Sequence, residues 1–350
     1  MKKLLVFISI LLPISIFLSG CNNKETPEQG EDQALKLYTT VYPLQYFTER
    51  IGGKYVDVKT IYPPGADEHT FEPSQKDMLK LAEADAFIYI GLGLEGFVEK
   101  AKHTLENEKV TLVAAGDHVD LNTVNHDHVR ADNDEHSDDS QADHSKADSH
   151  SHGDDSTHTE ENTDSSNQAD DHGHDHDIDP HVWLDPLYSI ELAEAVKEVL
   201  TEKLPEQESL FQENFDKLAG ELDELHHEFE KVAETASHRE MIVSHAAYGY
   251  WETRYGIEQL SISGLSTASE PTQRDLEQII ALADQHGLQY ILTEQNVSSK
   301  FSEIVQKEIG AETMTLHNLS TLTEKDIKAQ ETYLTIMQKN LQTLEKALNG

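Results

Sequence analysis

Two runs of alternating strand-like and helix-like segments lie along this chain, separated by a long helical stretch. Leu35 to Val41 alternates apolar and polar positions, which predicts a strand. Pro43 opens a helix through Arg50, and Gly52-Gly53 closes it. Val56 to Ile61 predicts a second strand. The turn Pro63-Pro64-Gly65 leads on to Ser74, an N-cap for a helix through Ala84. Ala86 to Ile90 is a short apolar strand, Phe97 to Glu106 a helix and Val110 to Val113 another strand. Strands alternating with helices indicate a parallel sheet in an α/β lobe.

After Pro186 the pattern turns helical. Leu187 to Leu204 is one helix, ended before Pro205. From Glu206 to Ala236, apolar residues recur at Leu210, Phe211, Phe215, Leu218, Leu222, Leu225, Phe229 and Val232, a 3.6-residue period. A helix of about 30 residues spans roughly 45 Å, more than one small lobe, so it is expected to bridge two. A second α/β pattern comes next. Its strands are Met241 to Ser244, Glu258 to Ser263, Gln289 to Thr293 and Thr313 to Leu316. Its helices are Tyr248 to Tyr255, one opened by Glu270-Pro271-Thr272 and ending at His286, Ser298 to Gly310 and Lys325 to Leu348. The expected organisation is an α/β lobe over 34–186, linking helices over 187–238 and a second α/β lobe over 239–350.

Two stretches break the pattern. At the N-terminus, Lys2-Lys3 precede an apolar run from Leu4 to Leu18 and then Ser19-Gly20-Cys21. These are the parts of a secretory signal, expected over 1–20, and the run is short for a membrane span. Residues 21–33 read as a polar tether. The second break, an insertion over about 120–178, carries ten histidines between His126 and His176. Residues 125–179 also hold 18 acidic residues against Arg130 and Lys146. Almost nothing apolar lies there, so the composition predicts disorder in the absence of metal, and such tracts signal metal capture. A plain spacer is the simpler alternative.

The formal net charge of −39 argues against nucleic acid, which needs a basic face. Cys21 is the sole cysteine, so no disulfide forms within the chain, and a metal must be held by His, Asp and Glu. His69, His181, His245 and Glu294 share one type of position, just after a strand or in a short loop near a strand end. Ligands of open α/β sheets bind at the carboxyl ends of strands. Three imidazoles and one carboxylate fill a tetrahedral zinc shell. Asp179, Asp185 or a backbone carbonyl is expected to orient His181 through its other nitrogen. Taken singly, a histidine after a strand is ordinarily a polar loop residue. His103, His118, His226, His227, His238, His286 and His317 are read as surface or helix-face residues.

These residues resemble the cluster A-I (cluster IX) metal-binding lipoproteins, the solute-binding components of ABC transporters for zinc and manganese. Within them the chain is most similar to the zinc-uptake branch, the ZnuA/AdcA type. The resemblance covers nearly all of the chain after the signal. It rests on Pro64-Gly65 through His69 and Pro73-Ser74, on Asp179-Pro180-His181-Val182-Trp183-Leu184-Asp185-Pro186, and on Ser244-His245-Ala246-Ala247-Tyr248-Gly249-Tyr250. Glu270-Pro271 and Thr293-Glu294 complete it. Leu18-Ser19-Gly20-Cys21 resembles the lipobox of bacterial lipoproteins, which implies lipidation of Cys21.

The resemblance implies two α/β lobes joined by a rigid long helix, with the metal in the interlobe cleft. It implies a non-enzymatic Zn²⁺ receptor, a monomer lipid-anchored on the extracytoplasmic face of a bacterial membrane, which delivers zinc to an ABC transporter permease. The expected ligands are His69, His181, His245 and Glu294, with a water as the alternative fourth ligand and Glu68 a second candidate nearby. Manganese members place Glu at the third position and Asp at the fourth, where this chain has His245 and Glu294. Imidazole suits zinc, whereas oxygen suits manganese. The alternatives are a manganese receptor of the same family, an adhesion protein with a structural metal site, and a zinc hydrolase. The sequence has no HExxH and no general base placed by motif.

Overall fold

The computed structural model describes residues 34–121, 178–295 and 300–350. The lipobox with Cys21, the tether and the histidines from 126 to 176 lie outside the described residues.

The first lobe holds β1 (Leu35–Thr39), α1 (Tyr42–Gly52), β2 (Val56–Thr60), α2 (Gln75–Ala82), β3 (Ala86–Tyr89), α3 (Val98–Leu105) and β4 (Thr111–Ala114). Its strands form a parallel sheet in the order β2-β1-β3-β4. β3 is buried at every position, as a strand covered on both faces must be. Ser74 caps α2 through a capping box with Asp77, as its place before the helix predicts.

The chain then passes through a 3-10 turn (Val182–Leu184) into α4 (Pro186–Lys203) and α5 (Glu208–Thr235). Asp185 is the N-cap of α4, accepting from the Leu187 and Tyr188 amides. It also receives a hydrogen bond from Arg254 Nε. The 28 residues of α5 span about 42 Å. Phe211, Phe215, Leu218, Leu222, Leu225, Phe229 and Ala233 are its buried stripe. Leu210 falls off that stripe and is exposed, because it lies one residue before Phe211 and so about 100° around the helix.

The second lobe repeats the first. It contains β5 (Glu240–His245), α6 (Gly249–Tyr255), β6 (Glu258–Ser263), α7 (Gln273–His286), β7 (Tyr290–Thr293), α8 (Lys300–Ile309) and β8 (Glu312–Thr315). The parallel order is again two-one-three-four, here β6-β5-β7-β8. The closing helix expected from 325 to 348 is two helices, α9 (Glu324–Ala329) and α10 (Tyr333–Ala347). Gln330 ends the first in the left-handed conformation, and Thr332 caps the second through a capping box.

One apolar core runs through both lobes. It joins Leu37, Phe47 and Phe87 of the first to Val243, Trp251 and Leu292 of the second, by way of Phe229 on α5 and Tyr333 on α10. Tyr333 packs against Tyr46 and Phe47 of α1, so the C-terminal helix returns to the first lobe. A smaller core of Ile242, Ile262, Ile279, Ile291 and Val305 fills the opposite face of the second sheet. No described helix is long and apolar enough to cross a membrane.

Candidate metal centre between the lobes

His245 is the last residue of β5, and Glu294 directly succeeds β7. These strands are neighbours, while β6 lies on the other side of β5. The crevice at their carboxyl ends is therefore the switch point where doubly wound sheets bind ligands.

His69 arrives from the first lobe on the loop between β2 and α2. A turn closed by Ala66 N donating to Pro63 O starts this loop, with Gly65 at φ +74°, a conformation that favours glycine. Asp67 then fixes the loop around His69. Its Oδ1 accepts from the amides of His69 and Thr70 and from the Thr70 hydroxyl, each at 3.0 Å. The Thr267 hydroxyl of the second lobe donates to Asp67 Oδ2. The backbone of His69 is thus pinned from both sides of the cleft.

His181 enters just before the 3-10 turn and is fully buried. Its Nδ1 lies 2.8 Å from Asp179 Oδ1, which also accepts its amide at 3.0 Å. Asp179 therefore fixes the ring, and Asp185 serves α4 instead. The other nitrogen of His181, Nε2, lies 3.4 Å from His245 Nε2. The three imidazole centroids are 5.2, 5.2 and 5.9 Å apart.

Donor atoms of Glu68, His69, His181 and His245 all lie within 4.8 Å of one another. Glu294 is outside that four-residue group. Its Oε1 lies against His245 Nδ1 without hydrogen-bond alignment, and Asn318 holds its other oxygen. The Asn318 amide donates to Glu68 Oε1 and to Glu294 Oε2, both at 3.0 Å. Asn318 Oδ1 in turn accepts from Ser320 N, Ser320 Oγ and Gln295 Nε2. Asn318 is thus a clasp between carboxylates of the two lobes. Sequence reasoning missed it because asparagine is neither a common ligand nor an acid. The available signal was its place just beyond β8, the same kind of position as those of His245 and Glu294.

The electrostatics are those of a cation site. His69 Nε2 is buried with no hydrogen-bond partner, although buried polar atoms nearly always have one. Burial, with His181 and His245 nearby, lowers the His69 imidazole to about 4, so it is neutral near pH 7 and its lone pair is available. Burial alone would also lower His245, but the Glu294 carboxylate outweighs that and holds it above its ordinary value. Burial and then Glu294 push the Glu68 carboxyl up. Three convergent imidazoles and the Glu68 carboxylate suit a borderline divalent cation. A pocket of about 310 Å³ reaches this group from the second lobe, lined by Ser244, His245, Thr267, Glu270, Glu294 and Lys300 among others.

His317, expected at the surface, is buried. Its Nδ1 accepts the Leu319 amide and its Nε2 faces Asp326, so it braces the turn that carries Asn318.

The profile of the family described as zinc-uptake complex component A, periplasmic, matches residues 37–347. The zinc-binding protein AdcA of Streptococcus pyogenes serotype M3 is 34% identical over 349 residues, covering 98% of this chain and 61% of its own. The chain thus spans about three fifths of that relative's length. The high-affinity zinc uptake system protein ZnuA of Bacillus subtilis is 28% identical over 95% of this chain and 94% of its own. Among solved structures, the Zn(II)-bound ZnuA-like domain of Streptococcus pneumoniae AdcA superposes with a TM-score of 0.67 at 27% identity. That match covers 91% of this chain and 100% of the other. With its family profile matched over both lobes and its histidines gathered in the cleft between them, the chain belongs to the zinc-uptake complex component A family.

Proposed function

We propose that the protein is an extracytoplasmic zinc receptor that captures Zn²⁺ in the interlobe cleft and hands it to the permease of an ABC transporter. His69, His181 and His245 supply imidazole ligands, Glu68 supplies the carboxylate, and Glu294 orients His245 through its other nitrogen. The observation that carries this reading is the convergence of three imidazoles and Glu68 from both lobes, with His69 Nε2 buried and left unpartnered. Two relatives whose names specify zinc, and a zinc-bound structural neighbour, support the choice of metal.

The receptor is tethered through a lipid on Cys21, and zinc is its cargo and not a catalytic cofactor. The His-rich tract gathers zinc weakly and leaves the tight site to the cleft. Competitive titration with Zn²⁺ and Mn²⁺ tests the reading. The expected result is one tight zinc, lost on His69→Ala or His245→Ala and retained when residues 126–176 are deleted. A preference for manganese would overturn the metal assignment. Metal-dependent ester or peptide cleavage abolished by His245→Ala would instead make the protein an enzyme.

A further inference from the structure

A second set of described side chains has the geometry of a chelate, and it lies away from the cleft on α5. His226, His227 and Glu230 each present a donor atom within 4.8 Å of the others. The Glu230 carboxylate sits between the two imidazoles. Its Oε1 is 3.5 Å from His226 Nε2, and its Oε2 is 2.8 Å from His227 Nδ1. Helix geometry produces this, because residues three and four apart are neighbours on one face.

The outward nitrogens are engaged as well. His226 Nδ1 is 3.0 Å from the Tyr255 hydroxyl at the end of α6, and the imidazole lies 5.6 Å from that phenol ring. His227 Nε2 is 3.8 Å from Asp223, one turn earlier on α5. Each imidazole therefore turns one nitrogen toward the same carboxylate, while the other is hydrogen-bonded to Tyr255 in His226 and faces Asp223 at ion-pair distance in His227. Outer partners of this kind orient metal-bound imidazoles. An ordinary helical ion pair joins one side chain to one other, whereas here two imidazoles and a carboxylate converge.

We propose that His226, His227 and Glu230 form a second divalent-cation site on the connecting helix. Two nitrogens and one oxygen select a borderline cation such as Zn²⁺ over Mg²⁺, with water completing the shell. Because the site is partly exposed and supplies only three protein ligands, it fills at higher free zinc than the buried cleft. It is separate from the cleft site and does not depend on the function proposed for it.

The test uses the full chain, with free Zn²⁺ fixed by a metal buffer so that the His-rich tract cannot change it. Carbethoxylation of each histidine is read by peptide mass spectrometry. His226 and His227 are expected to become protected together along one zinc curve and to stay unprotected in Mg²⁺. In Glu230→Gln, half-protection should require about tenfold more free zinc or beyond, as expected when one of three ligands is weakened. Glu230 is half exposed, so this variant folds. Labelling of His226 and His227 that does not change with zinc would overturn the proposal. So would unchanged protection in Glu230→Gln, or equal protection by Mg²⁺.

Discussion

At the residue scale, the open division of labour is between two carboxylates. Glu68 stands within the donor group, whereas Glu294 lies against the far nitrogen of His245. Glu68→Gln removes a ligand and should weaken zinc binding by more than tenfold. Glu294→Gln removes an orienting partner and should cost about 10- to 100-fold, with one further consequence that a lost ligand would not have. Glu294 is what keeps His245 above its ordinary value, so zinc must displace a proton there, and affinity falls as pH drops through that raised value. His69, lowered to about 4, adds no such loss until far more acidic pH. Calorimetry near pH 6.5 in buffers of different ionisation enthalpy should therefore show protons released on binding, and fewer in Glu294→Gln. Unchanged proton release in that variant would remove Glu294 from its role. Asn318→Ala should weaken zinc binding as well, because it frees both carboxylates at once.

At the scale of elements, the site depends on segments that hold ligands at fixed angles. Gly249, at the start of α6, is one hidden dependence. A Cβ there would stand 2.8 Å from Asp179 Oδ2, the carboxylate that orients His181. Gly249→Ala should thus lower zinc affinity by up to about tenfold while leaving the melting temperature of the zinc-free protein nearly unchanged, since alanine suits a helix better than glycine. Competition titration with a melting curve separates the two effects, and unchanged affinity would mean that Asp179 does not set His181. The strands, the long helix and the three site histidines were legible in the sequence, because period, punctuation and strand-end position are local signals. The break at Gln330 was not, since it depends on one residue in the left-handed conformation and a fresh cap at Thr332. Nor were Asn318, the burial of His317 or the differing placements of Glu68 and Glu294. The Asn318 clasp joins residues 24 and 250 positions apart, and His317 is held by Leu319 and Asp326 in a turn with no periodic pattern, so no local signal records either.

At the scale of the whole molecule, the decisive feature is that the two lobes share one apolar core. Phe229 and Tyr333 sit inside it, and α10 runs back from the second lobe to pack on α1 of the first. Swinging the lobes apart would expose that core at about 25 cal/mol per Å² of apolar surface, so large hinge motion is disfavoured. Two consequences distinguish a receptor from a protein whose metal is structural. The zinc-free chain should unfold in one cooperative transition, because its core needs no ion, and zinc should raise the midpoint by mass action, through a stabilisation of about 4 kcal/mol at a thousandfold excess over Kd. X-ray scattering should give nearly the same radius of gyration with and without zinc, so that capture and release work through the loops bearing His69, Thr267 and Asn318. Phe229→Ala should lower stability by about 3–5 kcal/mol through the cavity it leaves, yet preserve zinc binding in the fraction that stays folded. An unfolded zinc-free chain would make the ion a structural element. Marked compaction on binding would mean that the lobes hinge despite their common core.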